Sequence, residues 1–412
     1  MIDIATLQAL NAPTREERLE NLQKAVQTAS FPEANPVYIN CHIHTTYSFS
    51  PYSPAAAVFA AKAEGLCTAG IVDHDTTAGA EEFIEAGKIA DMPVTVGMEA
   101  RVSMQDTPLS AVHTNNPDQS GISYMTFQGI PHRNLARMNE FFAPLRAARN
   151  ERTRKMVANI NHLLVNSGIL LDFDHDVEPL SLYREGGAIT ERHLMYALAK
   201  KLTAQYGRGE SLVQIMPSLG VALSEKQAAQ LMDTQYRFYE YDLLGILKSA
   251  FIEKIYVPAT DECITIAQAA KLAEENDAIA CYAYLGDVEQ SVTGDKKAQK
   301  FEDAYLDQLF DVLDSCGIHA VTYMPTRNTP KQLDRLRTLC QQHHMFQVSG
   351  EDINSPRQSF VIHAMEKPQF ANLVRSTWQL IDHENGTCRI ELQRCRTNLM
   401  YASVRSLHKK HK

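Results

Sequence analysis

The chain has 412 residues, of which 44% are hydrophobic and 22% are charged, and this composition excludes a disordered or collagen-like protein. The length predicts two or three domains, or one large barrel with insertions. Its 40 Lys and Arg residues are outnumbered by 49 Asp and Glu residues, so the net charge of −9 excludes an overall basic field that would hold nucleic acid.

The start of the chain and its cysteines both favour a cytoplasmic protein. The first residues, MIDIATLQAL, lack the basic end and apolar core of a secretory signal. No apolar run reaches the roughly 18 residues that span a bilayer. The eight cysteines are scattered without a CxxC motif, which is typical of reduced thiols rather than of a disulfide framework or a cysteine zinc site. Nothing in the sequence indicates the oligomeric state.

The first third of the chain alternates between strand and helix patterns. Residues 1–35 form a polar helical arm, and a short β-branched and aromatic strand follows at 37–40. Ser53 and Pro54 predict the start of a helix that ends at Gly65. The next predicted elements are a strand at 69–72, a helix at 77–90 and a strand at 93–96. This alternation with short turns predicts parallel βαβ units.

The rest of the chain contains a long helical stretch and then returns to the strand–helix rhythm. A loop at 105–121 precedes a strand at 122–128, and a long helix at 134–165 opens a mainly helical region. Later elements are predicted at 278–282, 299–315, 319–323, 330–342 and 345–349. We interpret the chain as one α/β barrel formed by residues 36–133 and 251–365. A helical insertion at 134–250 interrupts it, and a C-terminal segment at 366–412 follows it.

Four polar clusters follow predicted strands, where α/β barrels place their active sites. His42 and His44 are two residues apart and therefore project to the same side of a strand. Asp73 and His74 follow the second strand, Glu99 follows the third, and Asp352 follows the last. Imidazole and carboxylate ligands together suit Zn, Mn or Fe better than Mg or Ca.

Each cluster also has an ordinary structural interpretation. Two histidines in an HxH pattern can simply cap a strand. The Asp73–Thr76 segment can be a helix N-cap, in which Asp75 or Thr76 accepts backbone hydrogen bonds. The Gly97–Glu99 segment can be a turn. The clusters taken singly leave these alternatives open.

Their order and spacing resemble the polymerase and histidinol phosphatase (PHP) family of metallohydrolases. The segments that carry the resemblance are HIHTTYS at 42–48, IVDHDT at 71–76 and GMEA at 97–100. ERHL at 191–194, YVP at 256–258, AYLG at 283–286 and GEDIN at 350–354 are similar to the phosphoesterase branch of that family. The resemblance covers about residues 36–360. It implies a distorted (β/α) TIM-like barrel with a helical insertion.

The resemblance also implies a metal site, although part of the family's ligand set is substituted. His42, His44, Glu99 and Asp352 match ligands of a first metal, and His74 matches a ligand of a second. Four other ligand positions are occupied by Phe49, Tyr124, Tyr284 and Asn354. Since two neutral imidazoles and two carboxylates balance one dication, we expect about one divalent ion (Zn, Mn or Fe) per chain. A second, weaker ion would use His74 with Glu99 as a bridge.

The activity that the resemblance implies is metal-dependent hydrolysis of a phosphoester, in a small phosphorylated molecule or a short nucleotide. His74 or Asp73 would orient the attacking water or act as acid and base. The guanidinium group matches phosphate geometry, and structural salt bridges are the alternative role for each arginine. The candidate arginines are Arg101, Arg192, Arg327 and Arg357. Glu351 adds an unusual carboxylate beside Asp352.

Two other functions remain open at this stage. One is a non-catalytic barrel that keeps a remnant metal-binding or ligand-binding site. The other is a single-metal hydrolase of a non-phosphate substrate, as in related amidohydrolase barrels. We also consider His113 and His132 as replacements for a lost ligand. If the substitutions alone limit the metal count, Phe49→Asp combined with Asn354→His should create a second strong site.

Overall fold

A computed structural model describes residues 2–287, 302–390 and 392 of the chain. Its strands form one sheet. They are β1 (Asn35–Ile43), β2 (Leu66–His74), β3 (Val94–Ser103), β4 (Ile122–Gln128), β5 (Ile264–Thr265), β6 (Ile279–Tyr284), β7 (Ala320–Tyr323) and β8 (Phe346–Ser349).

Some of the α-helices pack around this sheet, and the others come after β4 and before β5 along the chain. They are α1 (Ile4–Leu10), α2 (Arg15–Thr28), α3 (Pro54–Ala63), α4 (Ala80–Ile89), α5 (Leu135–Leu163), α6 (Glu191–Tyr206), α7 (Glu210–Ile215), α8 (Glu225–Met232), α9 (Tyr239–Ile255), α10 (Ile266–Glu275), α11 (Leu306–Ser315), α12 (Pro330–Gln342) and α13 (Ala371–Glu384). None of these described helices is both long and apolar enough to cross a membrane.

The sheet curls into a nearly closed barrel, which confirms the predicted α/β barrel. Its strand order is β1-β2-β3-β4-β6-β7-β8, with β5 paired to β3. The segment after β8 returns to β1, where Ile353 forms a parallel bridge with Ile43. The His44 N–H donates to the Ile353 carbonyl at 2.9 Å. The strand ends that carry His42 and Asp352 therefore lie side by side.

Strand β4 distorts the barrel because it runs antiparallel to both β3 and β6. The connection between β3 and β4 contains no α-helix, and a parallel crossover usually requires one. Prediction from sequence located β4 at its observed bounds, 122–128, but did not foresee its direction. Strands β1, β2 and β3 are longer than predicted, because each continues past its apolar run into the polar residues of the site.

Two helical layers flank the barrel. On one side, α1 and α2 pack against α3 and α4, where Arg18 and Glu82 form a buried, bidentate ion pair with distances of 2.6 and 2.9 Å. On the other side, α5–α9 share a hydrophobic core of their own. Phe49, which follows β1, packs into this second core. The loop after β1 is thereby attached to the helices that separate β4 from β5.

Helix α13 covers the amino-terminal end of the barrel, opposite the polar clusters. Leu380 packs among barrel residues that include Ile279 and Ala320, near the starts of β6 and β7. Glu384 accepts hydrogen bonds from the Thr95 hydroxyl and, at 3.0 Å, from the Val96 N–H. A carboxyl group therefore lies buried beneath the barrel.

The burial of Glu384 predicts how stability depends on pH. Burial raises the pKa of its carboxyl from the ordinary value of 4.5 to about 7, although His132, Thr95 and Val96 act in the opposite direction. The folded state therefore binds this proton more tightly than the unfolded state. The contribution to stability is complete below pH 4.5 and is lost as the pH rises through 7.

We expect the Glu384→Gln variant, which cannot ionise, to gain stability relative to the wild type as the pH rises from 4 to 8. The relative gain should be about 3 kcal/mol, since one pKa unit corresponds to about 1.4 kcal/mol. Urea unfolding at several pH values measures it. Glu20→Gln is the matched control, because the Glu20 side chain is 72% exposed. Parallel pH profiles for the Glu384→Gln variant and the wild type would contradict the prediction.

Candidate metal centre

His42 and His44 direct one ring nitrogen each towards the same point. Their Nε2 atoms lie 3.2 Å apart, and both side chains are buried. Two nitrogen ligands of one tetrahedral ion are separated by about 3.3 Å, given metal–nitrogen bonds of about 2.05 Å. Position and chemistry therefore both suit a shared ion.

Glu99 of β3 lies at the centre of the histidine cluster. Its Oε2 atom is 3.7 Å from His42 Nε2, 3.8 Å from His44 Nε2 and 3.2 Å from His74 Nδ1. Burial raises the pKa of Glu99, whereas the surrounding imidazoles lower it, by an amount that is smaller when His74 is neutral. The carboxylate is therefore ionised and can bind a cation or bridge two.

Asp352 completes the group from the segment that closes the barrel. Its Oδ1 atom lies 3.3 Å from His44 Nε2. The side-chain amide of Asn354 donates a hydrogen bond of 2.6 Å to the same oxygen. Asn354 thus orients a neighbouring carboxylate, although its amide nitrogen is not itself a metal ligand.

The five residues predicted as metal ligands lie together in two overlapping groups. His42, His44 and Asp352 form one group, and His44, His74 and Glu99 form the other. Within each group the potential ligand atoms lie within 4.8 Å of one another. The nitrogen and carboxylate donors fit Zn, Mn or Fe. The site can therefore hold one ion, or two ions that share ligands.

A relay of hydrogen bonds behind His44 fixes the orientation of its ring. The Nδ1 atom of His44 lies 3.2 Å from the Ser48 hydroxyl, which donates to Asp73 at 2.6 Å. Asp73 also accepts from the Thr45 N–H and hydroxyl at 2.7 and 2.6 Å. With Nδ1 as the donor, Nε2 of His44 is left available to an ion.

This geometry corrects the expectation that Asp73 acts directly on water or substrate. Asp73 is buried behind His44, its oxygens accept hydrogen bonds from the turn at Thr45–Ser48, and it does not line the cavity beside the site. His74, the other candidate, does line that cavity. Burial holds the pKa of His74 well below its ordinary value despite the opposing effect of Glu99, so the imidazole is neutral.

Phe49 occupies none of the space around the ion ligands. Its ring packs 4.9 Å from the ring of His193, 5.6 Å from Tyr196 and 5.4 Å from Tyr241. These residues belong to the core of helices α5–α9 or contact it. The φ angle of Phe49 is +123°, an unusual value for a side chain of this size. The backbone turns here so that the ring enters the helical core.

The two tyrosines at substituted positions are engaged elsewhere. Tyr284 donates a hydrogen bond of 2.6 Å to Asp303, and burial raises its pKa far above the ordinary range. Tyr124 accepts a hydrogen bond from Arg101 at 3.2 Å, and burial raises its pKa to about 12. Both phenols therefore stay protonated at neutral pH and are poor metal ligands.

A cavity of about 560 Å³ opens beside the histidines at the carboxyl ends of the strands. Its walls come from the strand ends, from the segment after β8 and from helices α6 and α9. Six basic and six acidic side chains line it, so its formal charge is balanced before any ion binds. They are Arg101, Arg149, Arg192, Lys248, Arg327 and Arg357, with Glu99, Asp118, Glu191, Glu253, Glu351 and Asp352.

The four arginines predicted to bind phosphate differ in their partners. Arg101 is buried and pairs with Glu191 at 2.6 Å and with Glu262, so it serves a structural ion network. Arg357 forms a bidentate pair with Asp242 of α9 at 2.6 and 2.7 Å. Structural pairing, the alternative role, is thus the observed one for both.

Arg192 and Arg327 are the other two predicted phosphate ligands, and both line the cavity. Arg192 donates to the Asn354 carbonyl at 3.3 Å, and its guanidinium lies over the ring of Phe49. Arg327 donates to the Leu285 carbonyl at 3.0 Å. Glu351 also lines the cavity, where it accepts a hydrogen bond of 2.9 Å from the Thr326 N–H, and burial raises its pKa.

The two histidines considered as substitute ligands lie away from the cavity lining. His132 is 3.8 Å from Glu384, at the opposite end of the barrel. His113 belongs to the loop between β3 and β4, and its Nδ1 atom is 3.2 Å from the Asn116 carbonyl. Neither replaces a lost ligand in this arrangement.

Sequence reasoning missed two arginines of α5 that join Arg101 in a buried ion network. Arg149 pairs with Asp75 at 2.5 Å and with Glu191 at 3.1 Å. Arg152 pairs with Glu262 at 2.6 Å and also with Glu191. Their spacing of three residues places them on one face of a helix. This spacing was the only sign of the pair in the sequence, and it did not identify the carboxylates with which the two arginines interact.

The position of Phe49 changes the outcome expected for Phe49→Asp. An aspartate would replace an aromatic ring in the helical core, so we expect a loss of roughly 3–5 kcal/mol in the free energy of unfolding. The metal stoichiometry should stay unchanged. Phe49→Leu, which keeps an apolar side chain, is the control and should lose less. An additional tightly bound ion in Phe49→Asp at wild-type stability would show that residue 49 can reach the centre.

Comparison with known proteins places the chain in a family. The sequence model of the PHP domain matches residues 40–318. No curated protein sequence matches the chain significantly. Several solved structures share its fold. A candidate metal-dependent phosphoesterase from Bifidobacterium adolescentis ATCC 15703 is 19% identical, with a TM-score of 0.53 over 85% of this chain and 98% of that one.

The second similar structure is an amidohydrolase from Chromobacterium violaceum that contains bound sulfate and no metal. It is 17% identical, with a TM-score of 0.51 over 79% of this chain and 90% of that one. At these identities the likeness shows the fold alone. The family match covers more than half of the chain, together with the strand ends that carry four of the five clustered residues. The chain therefore belongs to the PHP family.

Proposed function

We propose that this protein is a metal-dependent hydrolase of phosphoesters with a reduced metal site. The observation that carries the proposal is the convergence of His42, His44, Glu99 and Asp352 at one end of the barrel. Two neutral imidazoles and two carboxylates neutralise one dication. Membership of the PHP family and the similar phosphoesterase fold support the same reaction class.

We assign one strong ion to this set and allow a second, weaker ion beside it. The second ion would bind to His74 and Glu99 and would share His44 or Glu99 with the first. The substituted positions Phe49, Tyr124 and Tyr284 provide no good ligand for this second ion, because Phe49 is buried in the helical core and both tyrosines are protonated. Zn, Mn and Fe fit the donor set.

A divalent ion held here would lower the pKa of a bound water to near neutrality and polarise a phosphoryl oxygen. The chain itself supplies the remaining functions. With a single ion bound, the neutral imidazole of His74, which lines the cavity, would be available to accept a proton from the attacking water. Glu99, 3.2 Å from His74 Nδ1, orients that ring. Asp73 acts indirectly, because it holds Ser48 and thereby His44.

The cavity favours a small anionic substrate. One dication would raise its balanced formal charge to +2, which matches the dianion of a phosphate monoester. A volume of about 560 Å³ leaves room for a leaving group of the size of a small metabolite or a short nucleotide. We assign phosphate binding to Arg192 and Arg327, because both line the cavity, where they contact the Asn354 and Leu285 carbonyls.

A second candidate function is single-metal hydrolysis of a carboxamide or lactone. The fold shared with an amidohydrolase favours it, and one ion with a neutral histidine suffices for that chemistry. The third candidate, a non-catalytic barrel, predicts metal or ligand binding without turnover. Metal analysis and substrate screening separate the three.

Metal titration of histidine variants tests the proposed site. The wild type should bind about one Zn or Mn ion tightly per chain. His44→Gln should abolish tight binding, because His44 belongs to both ligand groups, whereas His74→Gln should remove only a weaker second ion. Elemental analysis and calorimetry measure these changes, with His175→Gln as an exposed control. Three tightly bound ions would contradict the reduced site, and no bound ion would contradict the metal site itself.

Turnover assays test the reaction class and the arginine roles. We expect metal-loaded protein to hydrolyse phosphate monoesters or diesters, and the chelated protein and His44→Gln to lose this activity. Arg192→Gln and Arg327→Gln should raise KM by about tenfold or more, as expected for a lost charge-assisted contact of roughly 1.5–3 kcal/mol. Arg154→Gln, on the exposed face of α5, is the control. Turnover of carboxamides or lactones alone would favour the second candidate.

A further inference from the structure

The two histidines of the first ligand group differ in how their second ring nitrogen is held. His44 Nδ1 is tied through Ser48 to Asp73. Among the described residues, the His42 side chain contacts His44 and Glu99 through its Nε2 atom, whereas its Nδ1 atom has no hydrogen-bond partner. Histidines that bind metal through one nitrogen nearly always donate a hydrogen bond from the other. His42 therefore lacks a partner that its chemistry requires.

A buried hydroxyl without a partner lies close by, on β7. Thr322 is 3% exposed and lines the cavity, and its Oγ1 atom has no hydrogen-bond partner among the described residues. An unsatisfied buried polar group costs about 1–3 kcal/mol. Both groups would be satisfied if one contacted the other, directly or through water.

Gly350, which follows β8, leaves the space between them. A Cβ atom on residue 350 would lie 3.1 Å from Thr322 Oγ1, 3.5 Å from His42 Nδ1 and 2.9 Å from His42 Cβ. The φ angle of Gly350 is outside the left-handed region. Glycine is therefore required here by the close approach of His42 rather than by the backbone conformation. Both polar atoms that lack partners therefore lie close to this position.

We propose that Thr322 is the positioning residue for His42. Its hydroxyl oxygen accepts the hydrogen bond of His42 Nδ1–H, either directly or through one water in the space left by Gly350. This contact fixes the proton on Nδ1, so that the Nε2 lone pair faces Glu99 and His44. The inference rests on the proposed metal site, and it gives His42 the support that Ser48 and Asp73 give His44.

Thr322→Val tests the inference, because valine keeps the shape of threonine and removes the hydroxyl. The Kd for Zn, measured by competition with a chromophoric chelator, should rise by about 10–100-fold, the usual effect of losing such a partner. Thr322→Ser should restore the affinity to within a few-fold of the wild type. Gly350→Ala, which fills the gap, should weaken binding as well.

Thr68→Val is the matched control. Thr68 is also buried on a barrel strand with a hydroxyl that lacks a described partner, but it lies six residues before His74, far along β2. Its Kd for Zn should equal that of the wild type. Equal affinity of Thr322→Val and the wild type would overturn the inference.

A second measurement needs no variant and no metal. The ¹H–¹⁵N correlation pattern of His42 in the metal-free wild type should show the proton on Nδ1, and a proton on Nε2 would overturn the inference. This result decides the question even if Thr322→Val fails to fold. A wild type that binds no Zn would overturn the proposed function and remove the basis of the inference, and the wild-type titration identifies that case separately.

Discussion

A buried ion network fixes the two walls of the cavity relative to each other. Three arginines and three carboxylates take part, and all are nearly inaccessible to solvent. They are Arg101, Arg149 and Arg152, with Asp75, Glu191 and Glu262. The charges balance, and loss of one partner from a buried pair typically costs about 3–5 kcal/mol. Helices α5 and α6 are thus held firmly against the barrel.

The network also reaches the metal centre through the backbone. Asp75 directly follows His74 and has a φ angle of +55°. Its N–H donates to the Glu99 carbonyl at 2.7 Å, while its carboxylate pairs with Arg149. The ends of β2 and β3 are therefore tied to each other and to α5. Precise placement of His74 beside Glu99 therefore depends on charges that lie outside the set of metal ligands.

The sequence was informative where function follows from local geometry. His42, His44, Glu99 and Asp352 were predictable because each follows a predicted strand and because their order and spacing resemble the motifs of the family. The roles of Phe49 and Arg101 were not, since each is decided by partners from helices far away in the chain, such as Tyr241 for Phe49 and Glu191 for Arg101. A sequence motif indicates where the backbone of a residue lies. The direction of its side chain also depends on the helices that pack beside it, as for Phe49 and Arg101.

The burial of Phe49 joins the helices α5–α9 and the metal centre into one cooperative unit. Only four residues separate Phe49 from His44, and the N–H groups of both Ser48 and Phe49 donate to the Thr45 carbonyl. Any local unfolding that opens the helical core would release this turn and with it the hydrogen-bond relay behind His44. Ion binding should therefore slow amide hydrogen exchange in helices that make no contact with the ion. Ion binding at the centre would therefore stabilise helices α5–α9 through this turn, without a change in the conformation of these helices.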